Sequence, residues 1–158
     1  MVASIFKMAD KDLQQTLKDL GIELKPPRQR EPSNPLVSAV RVGNLVYLSG
    51  HTSQQRGKLG RDLTPDQGYE AGKECAAGLL TSLQAEIGDL RKVKRVVKLL
   101  SMINATEDFT NHPRVANGCS DIFVSLWGEQ GKHCRSAVGM TSLPGNAAVE
   151  VEAIIEVE

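Results

Sequence analysis

Val149-Glu-Val-Glu-Ala-Ile-Ile-Glu-Val157 sets apolar residues at 149, 151, 153, 155 and 157 against Glu150, Glu152, Ile154 and Glu156. Successive side chains of an extended strand point to opposite faces, so strict period-two alternation predicts a half-buried antiparallel strand with one acidic face. Upstream, Arg135-Ser-Ala-Val-Gly-Met140 reads as another strand, and the Pro144-Gly145 turn between them predicts that the two pair as a hairpin. Working further back, Arg114–Trp127 has Val115, Cys119, Ile122 or Phe123, and Leu126 at helical spacing, and Val93–Ile103 is a β-branched and aliphatic run suited to a long strand.

Thr64-Pro65-Asp66 is a helix start, with threonine as N-cap and proline at the first helical position. The helix it opens carries Tyr69, Gly72, Ala76, Leu79 or Leu80, Leu83 and Ile87 on one stripe and stops at Gly88. Gly72 and Gly78 each cost about 1 kcal/mol relative to alanine inside a helix, which predicts close packing on a sheet. Val37–Val42 and Leu45–Ser49 flank Gly43-Asn44, the pattern of a hairpin with a type II′ turn. Gly50–Leu63 is polar, has glycines at 50, 57 and 60, and reads as a surface loop. Asp10–Leu20 places Leu13, Leu17 and Leu20 on one side of a short helix that Gly21 ends. Lys25–Pro35 holds four of the seven prolines with Arg28, Arg30 and Glu31, and reads as a linker. The expected fold class is α+β, in the order β-β-α-β-α-β-β with two helices on one face of the sheet. Residues 1–34 form an N-terminal helix and Pro-rich appendage, and residues 35–158 the main domain.

Composition narrows the function. The chain has 158 residues, 41% apolar and 24% charged, as in ordinary globular proteins. Nineteen basic residues balance nineteen acidic ones, which excludes bulk electrostatic attraction to nucleic acid or a membrane surface. Cys75, Cys119 and Cys134 are odd in number and show no CxxC spacing, the usage of reduced thiols in a cytoplasmic protein without a metal site. No apolar run approaches the ~20 residues of a membrane span, and Met1–Met8 is too short in apolar length for a secretory leader. There is no GxGxxG, GxxxxGK[ST], HExxH or GxSxG, and His51, His112 and His133 are scattered and read as structural.

The chemistry that stands out is Arg135 at the head of one strand and Glu150 on the acidic face of the next. A guanidinium stays charged and binds a planar carboxylate by two parallel hydrogen bonds, while a nearby carboxylate can orient or deprotonate a water. On the pattern alone a cross-strand ion pair, contributing at most about 1 kcal/mol, is an equal reading.

Arg41-Val-Gly-Asn-Leu-Val-Tyr-Leu-Ser-Gly50, Arg135-Ser-Ala-Val138, Leu143-Pro144 and Val149-Glu-Val-Glu-Ala-Ile154 together resemble the Rid (YjgF) family, over about residues 35–158. The resemblance implies a chorismate-mutase-like fold and a homotrimer with clefts between subunits. It implies Arg135 as the substrate-carboxylate arginine, Glu150 as the residue that positions or activates water, and Asn117, Ser49 and Gly50 at the cleft. No cofactor and no metal are implied. The expected activity is hydrolytic deamination of short 2-imino or enamine acids to 2-keto acids and ammonia. The expected partner is a small carboxylate-bearing substrate. Two departures reshape the pocket: Asn34-Pro35-Leu36 stands where the family has Gly-Pro-Tyr, and Ala137 where it has cysteine two residues after the arginine. With the N-terminal helix and the Gly118–Gly131 stretch, they mark an outlying branch. The alternative is a non-catalytic trimer that binds a 2-keto acid. A ribonuclease reading has little footing in a neutral chain with one tryptophan.

Overall fold

The computed structural model describes residues 10–27, 29 and 31–158. Met1–Met8, and Arg28 and Arg30 of the linker reading, lie outside the described residues. The elements are α1 (Asp10–Asp19), β1 (Ala39–Val42), β2 (Leu45–Thr52), α2 (Pro65–Ile87), β3 (Val93–Asn104), α3 (His112–Trp127), β4 (Cys134–Met140) and β5 (Val149–Val157). The order is the expected one: a mixed α+β fold with a five-stranded sheet, two long helices on one face, and a short N-terminal helix.

Local sequence explains most boundaries. Thr64 accepts a hydrogen bond from the Gln67 amide while the Gln67 side chain accepts from the Thr64 amide, a complete capping box at the start of α2. Gly88 ends that helix in the left-handed region at φ 76°. Gly21, at φ 68°, ends the first turn-bearing segment: its amide donates to Lys18 and that of Ile22 to Leu17, the paired bonds of a Schellman motif. In the β1–β2 turn only Gly43 has positive φ, as a type II′ turn requires.

Strand order is β1-β2-β5-β3-β4. This corrects the expected hairpin between the last two strands. β5 is antiparallel to both β2 and β3, and β4 runs parallel to β3 on its far side. β4 and β5 therefore run in opposite directions, as a hairpin would, but β3 occupies the slot between them. The polar loop also starts later than expected, because β2 continues through Gly50, His51 and Thr52 after a register shift between Leu48 and His51.

Val149, Val151, Ala153, Ile155 and Val157 are all buried beneath α2 and α3, in one cluster with Leu79, Leu99 and Phe123 that also takes in Leu13 and Leu17 of α1. Tyr69, read as core, is half-buried, and its hydroxyl donates to Asp121 on α3. Gly72 faces α3 rather than the sheet: a Cβ there would lie 2.8 Å from the Val115 carbonyl oxygen. Gly118 answers from the other side, where a Cβ would run into the Tyr69 carbonyl. Only Gly78 bears out sheet packing, against the His51 ring. Gly118→Ala is expected to cost about 2 kcal/mol or more because backbone must move, against about 1 kcal/mol for Thr64→Ala at the cap, both read from urea denaturation midpoints.

Candidate functional site

Arg135 pairs with buried Leu99 in the β3–β4 ladder, and paired residues share a face, so its side chain rises on the helix side of the sheet. There Nη1 donates to Asn117 Oδ1 at 2.9 Å and to Ser120 Oγ at 2.8 Å. Asn117 and Ser120 are three residues apart on α3, which puts them on one side of the helix. Both partners are neutral oxygens, so the guanidinium charge is not cancelled. Nε and Nη2 make no hydrogen bond among the described residues.

Behind this contact stands His133. Its Nε2 lies 2.9 Å from Ser120 Oγ and its Nδ1 2.6 Å from the Gly131 carbonyl oxygen. A carbonyl can only accept, so Nδ1 carries the proton and Nε2 accepts from the Ser120 hydroxyl. Burial holds the imidazole below its ordinary value of 6.5; the Gly131 carbonyl opposes the shift and the Arg135 charge adds to it. Phe123 packs edge-on against the ring at 6.5 Å.

Glu150 lies on the opposite face. It pairs with Met102, three residues beyond Leu99 on β3 and therefore of opposite parity. Desolvation, then the negative charge of Glu152, pushes its carboxyl above the ordinary 4.5. Gly50 adjoins it, since a Cβ at Gly50 would fall on Glu150 Oε1. The Ser49 hydroxyl donates to the Val37 carbonyl at 2.6 Å, tying the incoming chain to the strand. One protomer thus gathers Arg135, Asn117, Ser120 and His133 on one face, and Gly50 and Glu150 on the other. It does not bring Arg135 to Glu150, as the hairpin expectation had it.

Gly50, His51 and Thr52 also line a cavity of about 660 Å³ closed by Ile22 and Lys25 of the N-terminal segment and by Glu74 of α2. Among the described residues, no group of three histidine, cysteine or acidic side chains is arranged to hold a metal, and no helix is long and apolar enough to cross a membrane. Sequence reading missed Ser120 and His133. The signals were there: Ser120 three residues after Asn117 on a helix, and His133 two residues before Arg135 at the mouth of a strand.

The profile of a family described as "YjgF/chorismate_mutase-like, putative endoribonuclease" matches residues 30–157. The chain belongs to this family. It is similar to Protein TCP17 of Trypanosoma cruzi, 42% identical over 147 residues, covering 89% of this chain and 91% of that one. It is also similar to a 2-iminobutanoate/2-iminopropanoate deaminase of Dermatophagoides farinae, 29% identical over 137 residues, covering 85% and 95%. Among solved structures, a protein of unknown function from Agrobacterium tumefaciens superimposes with a TM-score of 0.87 at 34% identity, over 94% of both chains. The YjgF-like sheet with its two long helices is thus the frame on which Arg135 and Glu150 sit.

Because its folded value is depressed, His133 stays neutral where the unfolded chain takes up a proton, so its share of stability is lost as pH falls below 6.5. Nitrogen NMR of labelled histidines is expected to show the Nδ1–H tautomer at His133 with a midpoint below 6.5; an Nε2–H tautomer would contradict the geometry.

Proposed function

We propose that the protein hydrolyses short 2-imino or enamine acids to 2-keto acids and ammonium, at sites that two protomers of a homotrimer complete together. The observation that carries this is Arg135: a guanidinium with both Nη1 protons bound to neutral oxygens and the rest of its donors open suits a planar carboxylate. The likeness to a protein named as a 2-iminobutanoate/2-iminopropanoate deaminase supports the choice of reaction.

In this reading Arg135 holds the substrate carboxylate and Glu150 takes a proton from water as its oxygen bonds to C2 of the iminium. The proton passes to the amine nitrogen of the resulting carbinolamine. The C–N bond then breaks and ammonia departs with the bonding pair, the hydroxyl proton passes to that ammonia, and the products are a 2-keto acid and ammonium. An iminium is already electrophilic, so positioning supplies much of the acceleration and no covalent nucleophile is needed. A carboxyl held above its ordinary range is a better base than a fully solvated one.

Two features support completion by a partner. Arg135 and Glu150 belong to opposite faces of one sheet, so a single small molecule reaches both only across an interface. The face bearing Glu150 leaves Val40 50%, Tyr47 43% and Val138 39% exposed beside half-buried Ile154 and Leu100, apolar groups that flank the β5 glutamates and suit partial burial against copies of itself. Leu36, 60% exposed where the family has tyrosine, favours the second reading, a trimer that binds 2-keto acids without turnover.

Ammonia and keto-acid release is measured with imine generated by a PLP-dependent dehydratase. Arg135→Ala is expected to lower kcat/KM by about 100-fold or more. Retained turnover in that variant overturns the assignment, and keto-acid binding by wild type without turnover establishes the second reading. Arg135→Ala and Glu150→Gln chains, unfolded together and refolded as mixed trimers, should recover about a quarter of wild-type activity, because one in three interfaces of each mixed trimer is intact. A site confined to one protomer would recover none. The rate should fall on acidification as Glu150 takes up a proton, and Glu152→Gln should move that limb to lower pH by removing the neighbouring negative charge.

A further inference from the structure

We propose that His133 is a positioning residue for Arg135, acting through Ser120 to present the Nε–Nη2 edge of the guanidinium to a ligand carboxylate. The inference rests on the reading of Arg135 as the carboxylate-binding group and adds what fixes its orientation. The Nη1 nitrogen has two hydrogens, and both are taken, one by Asn117 and one by Ser120. The remaining donors lie on the other side of the planar group, where Nε–H and one Nη2–H run parallel and match the two oxygens of a carboxylate. The site therefore selects a side-on approach.

Ser120 can serve Nη1 only if its lone pair faces the arginine, and that depends on where its own proton points. His133 Nε2 accepts that proton at 2.9 Å. The imidazole is held to this task from behind, by the Gly131 carbonyl at 2.6 Å on Nδ1–H and by the edge-on contact with Phe123. Gly131 is buried against α3, and a Cβ there would run into the Phe123 carbonyl oxygen, so glycine lets the turn close and deliver its own carbonyl to the ring. The series Gly131 carbonyl, His133, Ser120, Arg135 is polarised in one direction, with every donor matched to an acceptor. Burial favours the neutral imidazole that this direction needs.

The test is a double-mutant cycle on the assembled protein, read by calorimetry of 2-oxobutanoate binding and by the kinetics of imine hydrolysis. His133→Leu is expected to raise Kd and KM about tenfold while kcat changes less than about twofold. His133→Gln, whose amide oxygen can accept from Ser120, should restore most of the loss. In an Arg135→Ala background His133→Leu should cost nothing further, because the residue acts through the arginine. Ser120→Ala gives a second variant that breaks the relay and leaves the histidine in place, and thermal unfolding of each variant verifies the fold. An unchanged Kd in His133→Leu, no recovery in His133→Gln, or an equal loss in the Arg135→Ala background would overturn the relay. Wild-type Kd in Arg135→Ala itself would instead overturn the reading on which the relay rests.

Discussion

β5 has a strand neighbour on each side and side chains that alternate between two faces, and among the described residues helices cover only one of those faces. Its odd positions fill the core beneath α2 and α3. Its even positions are then committed to the uncovered side, where three of the four are glutamates. The ladders carry that parity outward across the sheet: Ala153 fixes the face of Leu99, and Leu99 fixes the face of Arg135. A one-residue slip in the β3–β4 ladder would move Arg135 away from Asn117 and Ser120, and one in the β3–β5 ladder would pass Glu150 into the core. The register of β5 and β3 therefore decides the functional layout as much as the fold.

The helix face is kept in position by the crossing of α2 over α3. Gly72 and Gly118 have no side chains at the point where backbone meets backbone, which sets the height of α3 above the sheet. The Tyr69–Asp121 hydrogen bond and the Arg114–Asp66 ion pair close the same crossing at the surface, where such contacts contribute little energy but limit rotation. Asn117 and Ser120 ride on α3 within a turn of Gly118, so the crossing delivers the oxygens that hold Arg135.

What the sequence made legible was local. The alternation at 149–157, the cap at Thr64 and the turn at Gly43 each carry their physics within a few residues, and each stands where the pattern put it. Pairing partners were not legible in the same way. Pro144-Gly145 reverses the chain as read, yet nothing near it reveals that β3, some forty residues earlier at its closest, fills the gap between the strands it joins. Arg135 and Glu150 were singled out by residue type and by resemblance, but their separation onto two faces follows from ladder parity, which appears only once β4 is known to lie on β3. His133 was passed over because its place two residues before Arg135 acquires meaning only when the helix opposite supplies Ser120.

Keeping the cation and the carboxylate apart within one chain has an electrostatic consequence. Had the two shared a hairpin, each would have been the other's counter-ion, and an exposed pair of that kind is worth at most about 1 kcal/mol while occupying the donors a ligand needs. Instead Arg135 is steadied by an amide oxygen and a hydroxyl, which orient it without neutralising it. Glu150, beside Glu152 and partly desolvated, is destabilised in its charged form and so is disposed to take a proton. Each group retains an unmet electrostatic demand. On the reading proposed above, a small molecule carrying a carboxylate at one end and an electrophilic carbon beside it reaches both groups only where two protomers face each other, and that reading couples the chemistry to assembly.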